Sequence, residues 1–202
     1  MAGIALLIAA VVGVSLIRGS DTPPVPKLPA ETATPSGPLQ GVLRPAAGSF
    51  VGYRVNETLI GIGLNAAVGR TAAVRGRARV EGGRIVAARF EAGTGTIRSD
   101  EARRDDTMRF RGLETDRYPS ASFVLAGPVT IAPRFTARGR LTLHGRSNSV
   151  AVKLQSARAA SGLDLVGSTP IAFADYWIEP PSVAGVASVR DHGRLEVRLR
   201  LR

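Results

Sequence analysis

From Arg134 to Leu143 the chain alternates without a break. Phe135, Ala137, Gly139, Leu141 and Leu143 are apolar or small, and Arg134, Thr136, Arg138, Arg140 and Thr142 between them are polar. The same period of two returns at Val150, Val152 and Leu154. It returns again at Leu195, Val197, Leu199 and Leu201, which are interleaved with Glu196, Arg198, Arg200 and Arg202. Successive side chains of a strand point to opposite faces, so each of these segments buries one face and wets the other. That is the pattern of antiparallel sheet.

Shorter runs fit the same reading. Phe50–Val55 is a strand, and Thr58–Ala67 is apolar and Gly-rich and fits either strand or turn. Thr71–Val80 and Arg84–Glu91 flank Glu81-Gly82-Gly83, a hairpin signal. Ser120–Gly127, Leu163–Val166 and Ile171–Phe173 add three more. Eight to ten short strands with tight turns imply an all-β barrel or sandwich. The Tyr176–His192 connection reads either as a mobile rim loop or as a further strand over Val183–Val189.

One stretch breaks the strand period. Thr96–Phe123 carries a charged run that is capped by Ser99 or Asp100 in this reading, with Asp100 and Glu101 in a first helical turn. Ala102, Met108, Phe110 and Leu113 are its core-facing candidates. Gly112 ends it, and Tyr118-Pro119 returns the chain to an extended form. A short helical crossover between two strands is expected.

Ahead of the strands, Ala2–Ile17 is a run of apolar and small residues closed by Arg18. As a helix it would span about 24 Å, slightly short of a bilayer's ~30 Å core. Residues 1–18 are expected to form a membrane anchor or signal-anchor. Residues 19–47 form a Pro-rich linker that packs no core, and 48–202 the folded domain. The chain is strongly basic, with a net charge of +11, and only Lys27 and Lys153 among its 27 basic residues are lysine. This charge favours anionic lipid or phosphate. No recognition helix, zinc finger or aromatic-basic RNA motif accompanies it, so nucleic acid is not an expected partner.

Several segments together resemble the YceI-like family of polyisoprenoid-binding proteins. They are Val68-Gly-Arg-Thr71, Arg104-Asp105, Tyr118-Pro119 with Phe123, and Gly139-Arg-Leu-Thr-Leu-His-Gly145 leading into Val150. The resemblance covers roughly Gly48–Arg202. It implies an antiparallel lipocalin-like β-barrel that holds a long isoprenoid or acyl chain, in a secreted or envelope-facing protein, without catalysis and without a metal. One departure is visible. In Phe173-Ala-Asp-Tyr-Trp177, Phe173 stands where the family has Arg and Trp177 where it has Gly, and Trp177 is expected to narrow the opening.

Aromatic residues are only 5% of the chain, and small residues (Ala87, Ala121, Ala137, Gly139) fall on apolar faces. Such linings leave room for a chain-like ligand or let strands coil closely. Expected wall residues are Phe90, Phe123, Leu125, Phe135, Leu141 and Phe173, with Met108 and Phe110 as a lid and Trp177 at the mouth. Without Cys, thiolate catalysis and Cys-ligated zinc are excluded. His144 and His192 lie in separate turn signals without a second His at ligand spacing, and no Gly-x-Ser-x-Gly elbow occurs. Asp105 and Asp106 are adjacent, and are expected to pair with Arg103, Arg104 or Arg109 or to cap a neighbouring backbone. No cofactor is expected.

The expected function is non-catalytic binding or transport of one apolar chain, with the barrel extracytoplasmic, tethered through the N-terminal helix or secreted after cleavage. A homodimer is compatible with this. The alternative is a basic envelope adaptor, solid inside, that binds anionic lipid or polymer through its outer face.

Overall fold

The computed structural model describes residues 22–28, 37–59, 63–180 and 187–202. The Ala2–Ile17 segment therefore lies outside the described residues, as does most of the proposed strand over Val183–Val189. Among the described residues, no helix is long and apolar enough to cross a membrane.

Among the described residues, twelve strands form one antiparallel sheet, curved into a half-barrel. In chain order they are β1 (Gly41–Leu43), β2 (Phe50–Leu59), β3 (Gly63–Thr71), β4 (Val74–Glu81), β5 (Arg84–Gly93) and β6 (Ser120–Leu125). There follow β7 (Val129–Thr130), β8 (Arg134–Leu143), β9 (Arg146–Ala159), β10 (Gly162–Ala172), β11 (Ala187–Val189) and β12 (His192–Leu201). Around the sheet the order is β1-β4-β5-β6-β8-β9-β10-β12-β2-β11, with β3 paired to β2 and β7 to β5.

The alternation acts as its period demands. In β8, Ala137, Gly139 and Leu141 are buried while Arg138 and Arg140 are exposed. In β12, Val197, Leu199 and Leu201 are buried, and Leu201 is fully enclosed. The turns also follow from sequence. Gly82-Gly83 and His144-Gly145 all have positive φ and close two-residue hairpins between Glu81 and Arg84 and between Leu143 and Arg146. At Gly139 a side chain is excluded by packing, because a Cβ there would overlap the Phe123 ring and the Val124 carbonyl oxygen.

Three expectations need correction. Ala87 does not face the interior. The register of β5 against β4 shifts between Arg79 and Val80, so that Val86 is an extra residue. A bulge of this kind moves the alternation by one, turning Ala87 outward and placing Ala88 on the inner wall. The helical crossover is shorter than expected: α1 covers only Ala102–Thr107 and runs into a π-helical turn over Met108–Gly112. Its N-cap is Glu101 rather than Ser99 or Asp100, and Asp105 Oδ1 instead accepts from the Ser99 backbone N–H at 2.8 Å and its hydroxyl at 2.7 Å.

The third correction concerns residues 19–47. Leu39 and Leu43 are buried members of the main core cluster, β1 pairs with β4, and Pro45 bridges to Leu201. The C-terminal end of the linker is thus part of the fold. Further back, the Pro23 and Pro24 carbonyls accept from Arg54 and Arg70 at 2.6 Å each, so this stretch lies as a strap on the outer face. Under it Glu196 is 2% exposed and pairs with Arg54 at 2.5 Å and with Arg70 at 3.4 Å. A buried carboxylate needs such partners to stay ionised at tolerable cost.

Candidate functional site

Two buried apolar clusters divide the interior. The larger holds Val80, Leu163, Leu165 and Leu201 among others. The smaller joins Val55, Leu141 and Ile171 to Leu113 of the crossover and to Phe173, Tyr176 and Ile178. Each cluster encloses a cavity. The first, of about 100 Å³, is lined by Ala88, Phe90, Ala121, Phe123, Leu125, Ala137 and Leu141 together with residues of β9, β10 and β12. The second, of about 120 Å³, lies between β2, β3 and the crossover, against Tyr53, Val55, Met108, Leu113, Phe173 and Ile178. Val51, Ala92, Ala121 and Leu195 line both. The two spaces are therefore neighbours along one interior, separated by four modest side chains.

The expected wall residues divide accordingly. Phe90, Phe123, Leu125 and Leu141 surround the first cavity. Met108 and Phe173 reach the second. Phe135 packs against the main core but borders an outer groove beside Val25 and Pro26 rather than either cavity. Phe110 is 62% exposed and lines neither cavity, so only Met108 of the expected lid pair covers the interior. Trp177 is 67% exposed and does not narrow the opening. It sits at φ 55°, where a Gly would be unstrained, and its ring turns outward under the Arg146 guanidinium.

Sequence reasoning missed Val51, Tyr53, Val55, Ala92 and Leu195. The signal was available for β2, since Val51, Tyr53 and Val55 alternate on one face of a recognised strand.

The second cavity has one polar wall. Arg104 of α1 pairs with Glu57 of β2 at 3.1 Å and also with Asp100, and Asn65 donates to Glu57 at 2.7 Å. These bonds pin the crossover across β2. Burial pushes the Tyr53 phenol up to about 12; Arg104 opposes this, and Asp105, Glu57 and Asp100 reinforce it. Arg104 itself is held above its usual value: its burial opposes charge, but Glu57 and Asp100 outweigh it.

A second clasp holds the same end of the barrel. His144 places Nε2 at 2.7 Å from Glu114 Oε2 and Nδ1 at 2.9 Å from the Tyr176 carbonyl oxygen, and Tyr118 packs edge-on against its ring. The histidine thus ties the crossover to the Ala174–Tyr176 turn. Among the described residues, no three His, Cys, Asp or Glu side chains converge as a metal site.

This half-barrel, with a short crossover over an apolar interior, matches the YceI-like domain model over residues 44–201. The chain belongs to the YceI-like family. Its fold is similar to that of a polyisoprenoid binding domain from Saccharophagus degradans, with a TM-score of 0.62 and 17% identity. That match covers 81% of this chain and 99% of the other. It is also similar to BcnA of Burkholderia cenocepacia, with a TM-score of 0.60 and 12% identity over 75% of this chain and 96% of the other. At these identities the likeness speaks for the fold alone. No curated protein matches the chain.

Proposed function

We propose that this YceI-like protein is a non-catalytic carrier that holds one long apolar chain, a polyisoprenoid or related lipid, in its interior. The observation that carries this reading is the pair of adjoining apolar cavities that share Val51, Ala92, Ala121 and Leu195. A chain threaded past these four residues would occupy both spaces. Its transfer from water would be driven at ~25 cal/mol per Å² of apolar surface buried. The Saccharophagus relative is described as polyisoprenoid binding, which supports the same ligand class.

In this proposal the Ala2–Ile17 segment tethers the barrel to a membrane and leaves it on the extracytoplasmic side. Protease protection of the barrel in cells whose envelope has been breached would overturn that placement. The adaptor reading draws on a separate observation, the outward Arg138 and Arg140 of β8. It predicts vesicle binding that weakens with salt, because exposed charges act through a screened field.

Mass spectrometry of lipid co-purified with the full chain tests the carrier. An isoprenoid or acyl lipid at near-stoichiometric amount is expected. Ala121→Phe, which fills the junction of the cavities, should lose that lipid while the barrel stays folded. A lipid-free wild type that also takes up no added chain would leave the adaptor standing.

A further inference from the structure

Two phenols at the smaller apolar cluster, Tyr53 and Tyr176, are buried without a hydrogen-bond partner among the described residues, and of these only Tyr53 lines a cavity. The Tyr53 hydroxyl is buried and makes no hydrogen bond, although Tyr53 lines the second cavity. Its ring is fixed in place: it lies over Gly69, where any Cβ would overlap it, and Ile97 crowds the same spot. Buried hydroxyls are nearly always paired, since leaving one unpaired costs the desolvation of that group.

The neighbouring polar groups are satisfied. The Thr71 hydroxyl meets that of Thr96 at 2.7 Å, and the Thr94 hydroxyl donates to the Tyr118 carbonyl at 2.8 Å. Arg104 is taken up by Glu57 and Asp100. Arg194, also on this wall, donates to the Ser168 hydroxyl at 3.3 Å. Among the described residues that line this cavity, the phenol is thus the unmet donor on an otherwise apolar or satisfied wall. The charged groups around it are two guanidiniums, Arg104 and Arg194, and three carboxylates, Glu57, Asp100 and Asp105. That surplus of negative charge disfavours an anion beside the hydroxyl.

We propose that Tyr53 is the head-recognising residue of this site. Its hydroxyl donates to a neutral carbonyl or hydroxyl oxygen at the end of the bound chain that lies under the crossover, and the site rejects phosphate and carboxylate ends. This rests on the carrier reading above and specifies which apolar chains the protein prefers.

The test compares full-length wild type with Tyr53→Phe by calorimetry. The probes are four fifteen-carbon isoprenoids: farnesol, farnesal, farnesyl diphosphate and the hydrocarbon farnesene. Farnesol and farnesal should bind wild type about 5–10-fold more tightly than farnesene, the worth of one hydrogen bond. Farnesyl diphosphate should bind no better than farnesene. Tyr53→Phe should bring the alcohol and aldehyde to the level of farnesene and leave farnesene unchanged. Without ligand, it should not lower the melting temperature, because the hydroxyl has no protein partner to lose. A preference for the alcohol that survives in Tyr53→Phe overturns the assignment, as does tightest binding of the diphosphate or a lower melting temperature of the ligand-free variant. If the four probes bind both proteins equally, the head assignment falls and the carrier stands. If farnesene and the others all fail to bind wild type, the carrier reading falls and this inference with it.

Discussion

Single atoms decide much of what this interior can accept. Gly139 is the clearest case, since the Phe123 ring occupies the place of its missing side chain. Gly139→Ala should destabilise the fold by ~1–3 kcal/mol, read as a lower denaturant midpoint with an unchanged slope. Tyr53 and Tyr176 allow a second check. Burial is the leading cause in raising both phenols from about 10 to about 12. A folded pKa above the unfolded one stabilises the fold below the unfolded value, and that contribution disappears as pH rises through the folded value. Stability should therefore decline between about pH 10 and 12. Ultraviolet titration should show two tyrosines ionising late, and one fewer in Tyr53→Phe. Residues of this kind were only partly legible in the sequence. Ala121, Ala137 and Phe123 could be placed by period alone. Tyr53 could be placed on a face, but its missing partner depends on what the crossover brings opposite.

At the level of elements, strand content followed from alternation because the period of two is imposed by the backbone and needs no tertiary context. Features that depend on pairing were hidden. The extra residue in β5 is visible only against its partner strand, and Ala87 was misplaced for that reason. The π-helical end of the crossover and the outward turn of Phe110 were likewise set by how the segment docks. The docking contacts predict their own effects. Arg104 and Glu57 are both largely buried, at 19% and 10% exposure. Glu57→Leu should therefore leave the guanidinium with Asp100 alone and cost ~1–3 kcal/mol, with hydrogen exchange rising first over residues 99–113. The bulge gives a further expectation. Deleting Val86 should leave Ile85, Ala88 and Phe90 on the inner wall, whereas deleting Arg89 should turn Phe90 to solvent. Folding yields of the two deletions would show this directly.

For the whole molecule, the decisive property is whether the two cavities act as one space. In a packed interior, Ala121→Phe or Ala137→Phe would add volume that has nowhere to go, at ~1–3 kcal/mol. In a carrier the new ring occupies existing space, so thermal stability should hold while lipid retention falls. Met108→Asp, at the crossover's edge of the second cavity, should also weaken retention, with the fold little changed by circular dichroism.

The sheet order has a consequence in time. β12 lies between β10 and β2, and its Arg200 and the adjoining Arg202 pair with Ala46 and Arg44 at the other end of the domain. The strand synthesised last in this domain is thus the one that joins the early β2–β3 hairpin to the body of the sheet. Contacts so distant along the chain form slowly. Until β12 emerges, the inner apolar faces of β2 and β10 are open along their edges. A nascent chain of this protein would therefore keep this domain unfolded and threadable through a narrow channel until β12 has been made. An arrest peptide placed shortly after Leu201 should release only once β12 has cleared the ribosome, and not at any earlier length.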